Sequence, residues 1–436
     1  MSSEWSDTRL EELISVKHGF AFKGEYFTDQ STAHQLVTPG NFAIGGGFQL
    51  GKPKFYSGPV PPDYVLSRGD VVVTMTDLSR GADTLGFAGV VPETPGTVWL
   101  HNQRVGLVKV KPGAPVRIGY LHYLMRSAEY RHWVVSSATG STVKHTSPGR
   151  ICSFGFKLPP RAEQAGIEAM LTTLDDRVAL LRESNTTLEA IAQALFKSWF
   201  VDFDPVRAKQ QGLAPAGMDE ATATLFPDSF DGSALEWVPK GWQEGTLDDL
   251  ADLNSQSWSG RHHPERVRYL DLANVKDNEV ATVTEFAFDE APSRARRVLR
   301  SGDTIVGTVR PGNRSFAFIH EPVPDLTAST GFAVLSPRVV GNTAFVYLAA
   351  TQDASIKHLS HVADGGAYPA VRPDVVSSLT CVVPSAEILR AFNAVACPLL
   401  VKVSANQQQA QSLTTLRDTL LPRLISGQLR LPDALP

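Results

Sequence analysis

Apolar and polar positions alternate in two different rhythms along this chain. Over residues 1–160, and again over 241–385, apolar residues come in short β-branched runs broken by Gly, Pro and Asp. Examples are Val71–Met75, Val105–Val110, Thr304–Val309 and Phe332–Leu335. Branched side chains pack well on a pleated surface, so these runs predict strands. A proline-containing boundary closes each region, at Leu158-Pro159-Pro160 and at Val383-Pro384-Ser385, and then the period changes. From Arg161 to about Phe200, Leu171, Leu174, Val178, Leu181, Leu188, Ala192, Leu195 and Trp199 recur at alternating intervals of three and four, with Asn185 filling the gap. That is a heptad seam, which predicts a long helix paired with another helix. A second seam carries Leu399, Val403, Asn406, Ala410, Leu413, Leu420 and Leu424; Arg417 interrupts it, and Pro398 and Pro422 limit its straight length.

These rhythms predict an α+β protein: two mostly-β or mixed domains joined by two long antiparallel coiled-coil helices. The expected plan is a first β-rich domain over 1–160, a first long helix over 161–204, a linker over 205–240, a second β-rich domain over 241–385, and a second long helix with its tail over 386–436. Some 38 residues at ~1.5 Å each make a rod of roughly 57 Å, which would space the domains. The competing arrangement packs each helix onto its own β domain as core.

The plan is internally duplicated. Trp5-Ser6-Asp7-Thr8-Arg9-Leu10-Glu11-Glu12-Leu13 resembles Trp242-Gln243-Glu244-Gly245-Thr246-Leu247-Asp248-Asp249-Leu250. Arg68-Gly69-Asp70 precedes one apolar run and Ser301-Gly302-Asp303 another, and Ala138–Pro159 resembles Ala363–Pro384. This is a pseudo-twofold pattern, and two similar domains can bind two similar sites at once. The seams also fix an expected register. In an antiparallel pair the a position of Asn185 faces the d position of Asn406, and two facing Asn side chains satisfy each other. Leu188 would then lie near Val403 and Leu181 near Ala410.

Composition adds mostly exclusions. No apolar run approaches the ~18 residues of a membrane span, and the first residues lack the pattern of a signal peptide. Three scattered cysteines, Cys152, Cys381 and Cys397, argue against a disulfide framework or a CxxC metal site, so a reduced, cytoplasmic protein is expected. The formal net charge is −4, with basic residues in excess over 1–160 and acidic ones over 241–385. A protein gripping DNA unaided usually shows a stronger basic field. Catalytic signatures are lacking. Pro61-Pro62-Asp63-Tyr64 has Val60 where an adenine methyltransferase motif needs Asn or Asp, no phosphate loop is present, and His262-His263 has no third ligand nearby. Neither a catalytic centre nor a metal site is expected.

Gly140-Ser141-Thr142 through Leu158-Pro159-Pro160, Glu163-Gln164, Ile167 and Leu195-Phe196-Lys197-Ser198-Trp199-Phe200-Val201-Asp202-Phe203-Asp204-Pro205-Val206 resembles the specificity subunit of type I restriction-modification systems, as does the end Leu420-Leu421-Pro422-Arg423-Leu424-Ile425-Ser426-Gly427. With the duplication, the likeness covers nearly the whole chain. It departs at Pro384-Ser385-Ala386-Glu387-Ile388, which lacks the Pro-Pro and Glu-Gln of the first copy. The resemblance implies that each half is a target recognition domain for one part of a split DNA site. The helices would dock two methyltransferase subunits that bind S-adenosylmethionine, with a motor-nuclease subunit joining for cleavage; this chain would hold no cofactor. A free-standing adenine methyltransferase or nuclease and a non-DNA scaffold are the competing readings. Candidate DNA contacts, chosen as basic, amide and hydroxyl residues in loops, are Lys17, His18, Lys23, Thr76, Arg80, Ser141, Lys144 and His145 in the first half, and Arg310, Asn313, Arg314, Tyr368 and Arg372 in the second. The aromatic helix end Phe196, Trp199 and Phe200 is a candidate anchor for a methyltransferase subunit, because exposed aromatics concentrate interface energy.

Overall fold

The structure, a computed structural model, describes residues 5–79, 81–232 and 237–431. The chain divides into two compact units. The first is Met1–Val178 with Ser412–Pro436; the second is Ala179–Gln411. Each long helix is shared between them: Arg161–Phe200 and Ala386–Ile425 are 40 residues each. Every unit therefore consists of one β-rich domain and one stretch of each helix.

The duplication reaches the strand order. In the first unit an antiparallel sheet runs Ile14–His18, Val105–Val110, Val71–Thr74, Ala88–Val90; in the second the same order is Ala251–Leu253, Phe332–Pro337, Thr304–Gly307, Phe316–Phe318. A second sheet in each unit contains one parallel pair, His34–Val37 with Val98–His101 and Arg266–Leu270 with Leu326–Ser329. Each domain closes on a short antiparallel ribbon, Ser6–Arg9 with Gly155–Leu158 and Gln243–Thr246 with Thr380–Val383. The turn into each central strand is built alike. Asp70 accepts from the Ser67 amide at 2.9 Å and Asp303 from the Arg300 amide at 2.8 Å. Gly69 and Gly302 sit between at φ +86° and +91°, where a Cβ is strained.

Gln164, fully buried, ties the start of the first helix to its domain. Its Oε1 accepts from the Arg117 amide at 2.8 Å, and its Nε2 donates to the carbonyls of Pro115 and Pro159 at 3.0 and 2.8 Å. The helix stops at Phe200, a few residues short of the expected end at 204, because Phe203 takes a left-handed conformation (φ 56°) and starts a new helix, Asp204–Gln210. The second helix runs unbroken through Pro398 and Pro422. By length and composition it is apolar enough to cross a membrane, although no single run in it is continuously apolar. In the second unit that apolar face is core: Ile388, Leu389, Phe392, Ala396 and Leu400 are buried.

Burial also revises the seams. Leu400 and Leu421 are buried where Leu399 and Leu420 were expected to lead, and Leu399 and Leu420 are half-buried beside them. Near its ends a helix faces a globular domain rather than another helix, so its buried stripe follows the 3.6-residue period instead of 3.5. Val178, Leu181, Val403 and Ala410 are buried, and Leu174, Leu188, Leu195 and Leu413 half-buried. The aromatic end of the first helix requires a correction. Phe196, Trp199 and Phe200 are 2%, 5% and 4% exposed, packed with Phe226, Trp242, Phe345 and Phe392 in the core of the second unit, and so cannot serve as a docking surface. A run of rings with no polar neighbour at heptad spacing looks the same in sequence whether a domain or a partner covers it.

Candidate nucleic-acid interface

In the first unit the central strand Val71–Thr74 continues past Met75 as Thr76–Asp77, which pairs antiparallel with Lys144–His145. Thr146 donates its amide to the Met75 carbonyl at 3.0 Å. Thr139 and His145 exchange backbone hydrogen bonds of 3.0 and 2.9 Å and close a hairpin between them. At its tip Gly140 has φ +94°, and a Cβ there would lie 2.0 Å from the Val143 carbonyl oxygen, so no other residue fits. Thr76 Oγ1 stands 3.2 Å from His145 Nδ1, Ser141 is exposed at the hairpin tip, and Lys144 is half-buried. Thr76, Ser141, Lys144 and His145, far apart in sequence, thus form one ledge. Beneath it Asp77 binds the amides of Ser79 and Thr84 at 2.6 and 2.5 Å and the Thr84 hydroxyl at 2.7 Å. Burial opposes its charge, but these hydrogen bonds outweigh burial and hold its pKa below the ordinary carboxylate range. Arg80 lies outside the described residues.

Lys17, His18 and Lys23 belong to a different part of the same unit. Lys17 Nζ donates to the Asp63 carbonyl at 2.7 Å and sits 4.3 Å from the Tyr64 ring centre; His18 is exposed; Lys23 pairs with Glu25 at 3.7 Å. Tyr64, Phe20, Phe22 and Tyr56 form a chain of ring contacts 4.9 to 5.1 Å apart, ending on Phe27, under the Lys54 ammonium at 4.1 Å. Lys54 and Lys52 line a cavity of about 430 Å³ with Thr28 and Thr38. The sequence reading missed this pair. Its only signal is two lysines flanking a proline, which resembles any solvated turn.

The second unit repeats the ledge. Beyond Thr304–Gly307, Val371 donates to the Thr308 carbonyl at 2.9 Å, and Asp364 and Ala370 exchange bonds of 3.1 and 2.7 Å. These match the Thr146–Met75 and Thr139–His145 bonds of the first unit. Arg310 donates its amide to the Pro369 carbonyl at 2.7 Å and its Nη2 to the Ala367 carbonyl at 2.7 Å; its guanidinium lies 4.6 Å from the ring centre of Tyr368, which is 70% exposed. Asn313 is exposed, and Arg372, largely exposed, pairs with Asp374 at 3.0 Å. Arg314 differs from these. It is half-buried and ion-paired to Asp277 and, at 2.7 Å, to Asp353. Arg310, Asn313, Tyr368 and Arg372 are a forked cation, an amide, an aromatic platform and a second cation on one ridge, the side-chain types that read base edges and grip phosphates.

No family model matches the sequence. Among curated proteins, the chain is 25% identical over 369 residues to the type I restriction enzyme HindI specificity subunit of Haemophilus influenzae, covering 73% of this chain and 79% of that one. It is 23% identical over 336 residues to the MjaIX specificity subunit of Methanocaldococcus jannaschii, covering 75% of this chain and 73% of the relative. Over about three quarters of its length the sequence is thus similar to type I restriction enzyme specificity subunits. A solved S subunit of such a system from M. genitalium shares its fold, with a TM-score of 0.56 at 13% identity over 97% of this chain and 96% of that one.

In the second unit the two helices run antiparallel. Phe196 meets Phe392, and Asn185 meets Asn406, whose Nδ2 donates to Asn185 Oδ1 at 2.9 Å; Asn185 Nδ2 in turn donates to the Val403 carbonyl at 3.3 Å. In the first unit Arg417, the interruption of the second seam, meets Asp175 of the first helix at 2.6 Å. His263, one of the adjacent histidines, stacks on Phe288 at 3.7 Å, which accounts for it as packing.

Proposed function

We propose that this subunit chooses the DNA site of a type I restriction-modification complex and performs no chemistry, each unit reading one part of a split, asymmetric target. The observation that carries the reading is the ledge built twice. In both units the loop beyond the central strand pairs with the hairpin that precedes the closing ribbon, and both expose hydrogen-bonding or cationic side chains there. Two methyltransferase subunits would dock on the helices and carry S-adenosylmethionine, and a motor-nuclease subunit would join for cleavage. The net charge of −4 agrees with partners sharing the phosphate contacts. Such work on cellular DNA belongs in the cytoplasm.

The test is made in the assembled complex. Arg310→Ala should weaken binding to the cognate duplex by about 1–3 kcal/mol and relax discrimination in one half of the target only. Unchanged affinity and methylation specificity would remove Arg310 from the interface.

A further inference from the structure

Arg310 and Arg314 flank one short turn, yet they face different surroundings. Arg310 reaches the exposed ridge, whereas Arg314 is turned onto Asp277 and Asp353. The backbone behind Arg314 continues that link. Asp277 donates its amide to the Arg314 carbonyl at 2.8 Å, and Asn278 donates its amide to the Phe316 carbonyl at 2.9 Å. Asn278, 3% exposed, then reaches the helix pair. Its Nδ2 donates to Glu189 Oε1 on the first helix at 2.6 Å, and its carbonyl accepts from Gln407 Nε2 on the second at 2.7 Å. Its Oδ1 accepts from the Phe318 amide at 2.8 Å. Gln407 is the neighbour of Asn406, which bonds Asn185. One connected set of polar contacts thus runs from the helix seam to the turn that carries Arg310.

The same set holds strained backbone. Asp277, Asn278, Arg310 and Arg314 take φ of 46°, 64°, 48° and 60°, in the left-handed region that side chains other than glycine rarely enter. Strain of this kind persists only where surrounding contacts over-determine it, and it concentrates at functional sites. Here those contacts come from the helices as well as from the domain.

We propose that Asn278 and Glu189 are positioning residues for target reading: they seat the Asp277–Asn278 turn on the helix pair and so hold the Arg310–Asn313 loop in the one orientation that meets the bases. The inference rests on the reading of Arg310 as a DNA contact. A turn that serves only folding would lower stability without altering which sequences are methylated.

A double-mutant cycle in the full chain, assembled with its methyltransferase subunits, separates these outcomes. The readout is methylation of a cognate duplex against duplexes substituted in either half-site. Asn278→Gly suits the positive φ and removes only the side-chain bonds. With Glu189→Ala, it should reduce discrimination about tenfold in the half-site that Arg310→Ala affects, and leave the other half unchanged. Glu189→Gln should restore discrimination, since its carbonyl oxygen still accepts from Asn278. In an Arg310→Ala background, Asn278→Gly should add nothing. Losses that add to those of Arg310→Ala, or that fall equally on both half-sites, overturn the inference alone. A silent Arg310→Ala removes the DNA contact itself, and the positioning role with it.

Discussion

Asn406, 2% exposed, donates its side-chain amide to Asn185 at 2.9 Å across the antiparallel helices of the second unit. Removing one partner strands the other. Asn185→Leu should therefore destabilise by about 1–3 kcal/mol, whereas the double change to Leu costs little, since two apolar groups of similar shape leave nothing unpaired. Without the polar layer the register is less specified. Thermal melting of the three variants checks the order, and equal melting of single and double variants would count against it.

The first unit carries a different layer. Asp175 accepts from Arg126 at 2.8 Å and from Arg417 at 2.6 Å, and the Arg126 side chain is only 2% exposed. Burial raises the pKa of Asp175, but the two guanidinium groups outweigh burial and hold it low. Asp175→Ala leaves the buried Arg126 without its counter-charge, while Arg417 keeps Asp418 at 2.7 Å, and should cost about 3–5 kcal/mol. Chemical denaturation measures this; a loss under about 1 kcal/mol would mean that the pair is screened like a surface bridge.

Two buried histidines predict acid sensitivity. Burial pushes His101 down to about 4; burial, then the Arg126 charge, pushes His122 down to about 3. An unfolded histidine titrates near 6.5. Between roughly pH 4 and 6.5 the unfolded chain therefore binds protons that the folded one refuses, so stability is lost as pH falls through that window and is flat above it. His101 alone accounts for at most about 3 kcal/mol. His101→Gln can still donate to the Val105 carbonyl, which the ring Nε2 meets at 2.9 Å, and should flatten the slope of melting temperature between pH 5 and 7. An unchanged slope would exclude His101 as the source.

Trp199 touches Phe226 and Phe392 at ring distances of 5.0 and 5.4 Å. Trp199→Ala should cost about 3–5 kcal/mol by opening a cavity. At temperatures where the variant stays folded, it should recruit methyltransferase subunits as the unaltered chain does. Co-purification tests this, and selective loss of recruitment by a folded variant would return Trp199 to the partner surface.

Sequence alone determined the features that repeat at short range. Short β-branched runs marked the strands and the 3.5-residue period the helices, the Gly-Asp turns marked both central strands, and the seams put Asn185 opposite Asn406. Such features depend on neighbours a few residues away, or on one helix facing another at a fixed interval. Tertiary structure alone decided what covers an apolar face. Phe196, Trp199 and Phe200 read equally well as core or as interface, because hydrophobic burial has no direction. It also decided which of two arginines in one turn is ion-paired: Arg314 is held by Asp277 and Asp353, brought to it from distant positions in the chain, whereas Arg310 lies exposed against Tyr368 and the Ala367 carbonyl. Asn278 carried no signal at all, since an Asp-Asn turn is ordinary. Only folding places it against Glu189 and Gln407, and long-range hydrogen bonds of that kind leave no period in a sequence.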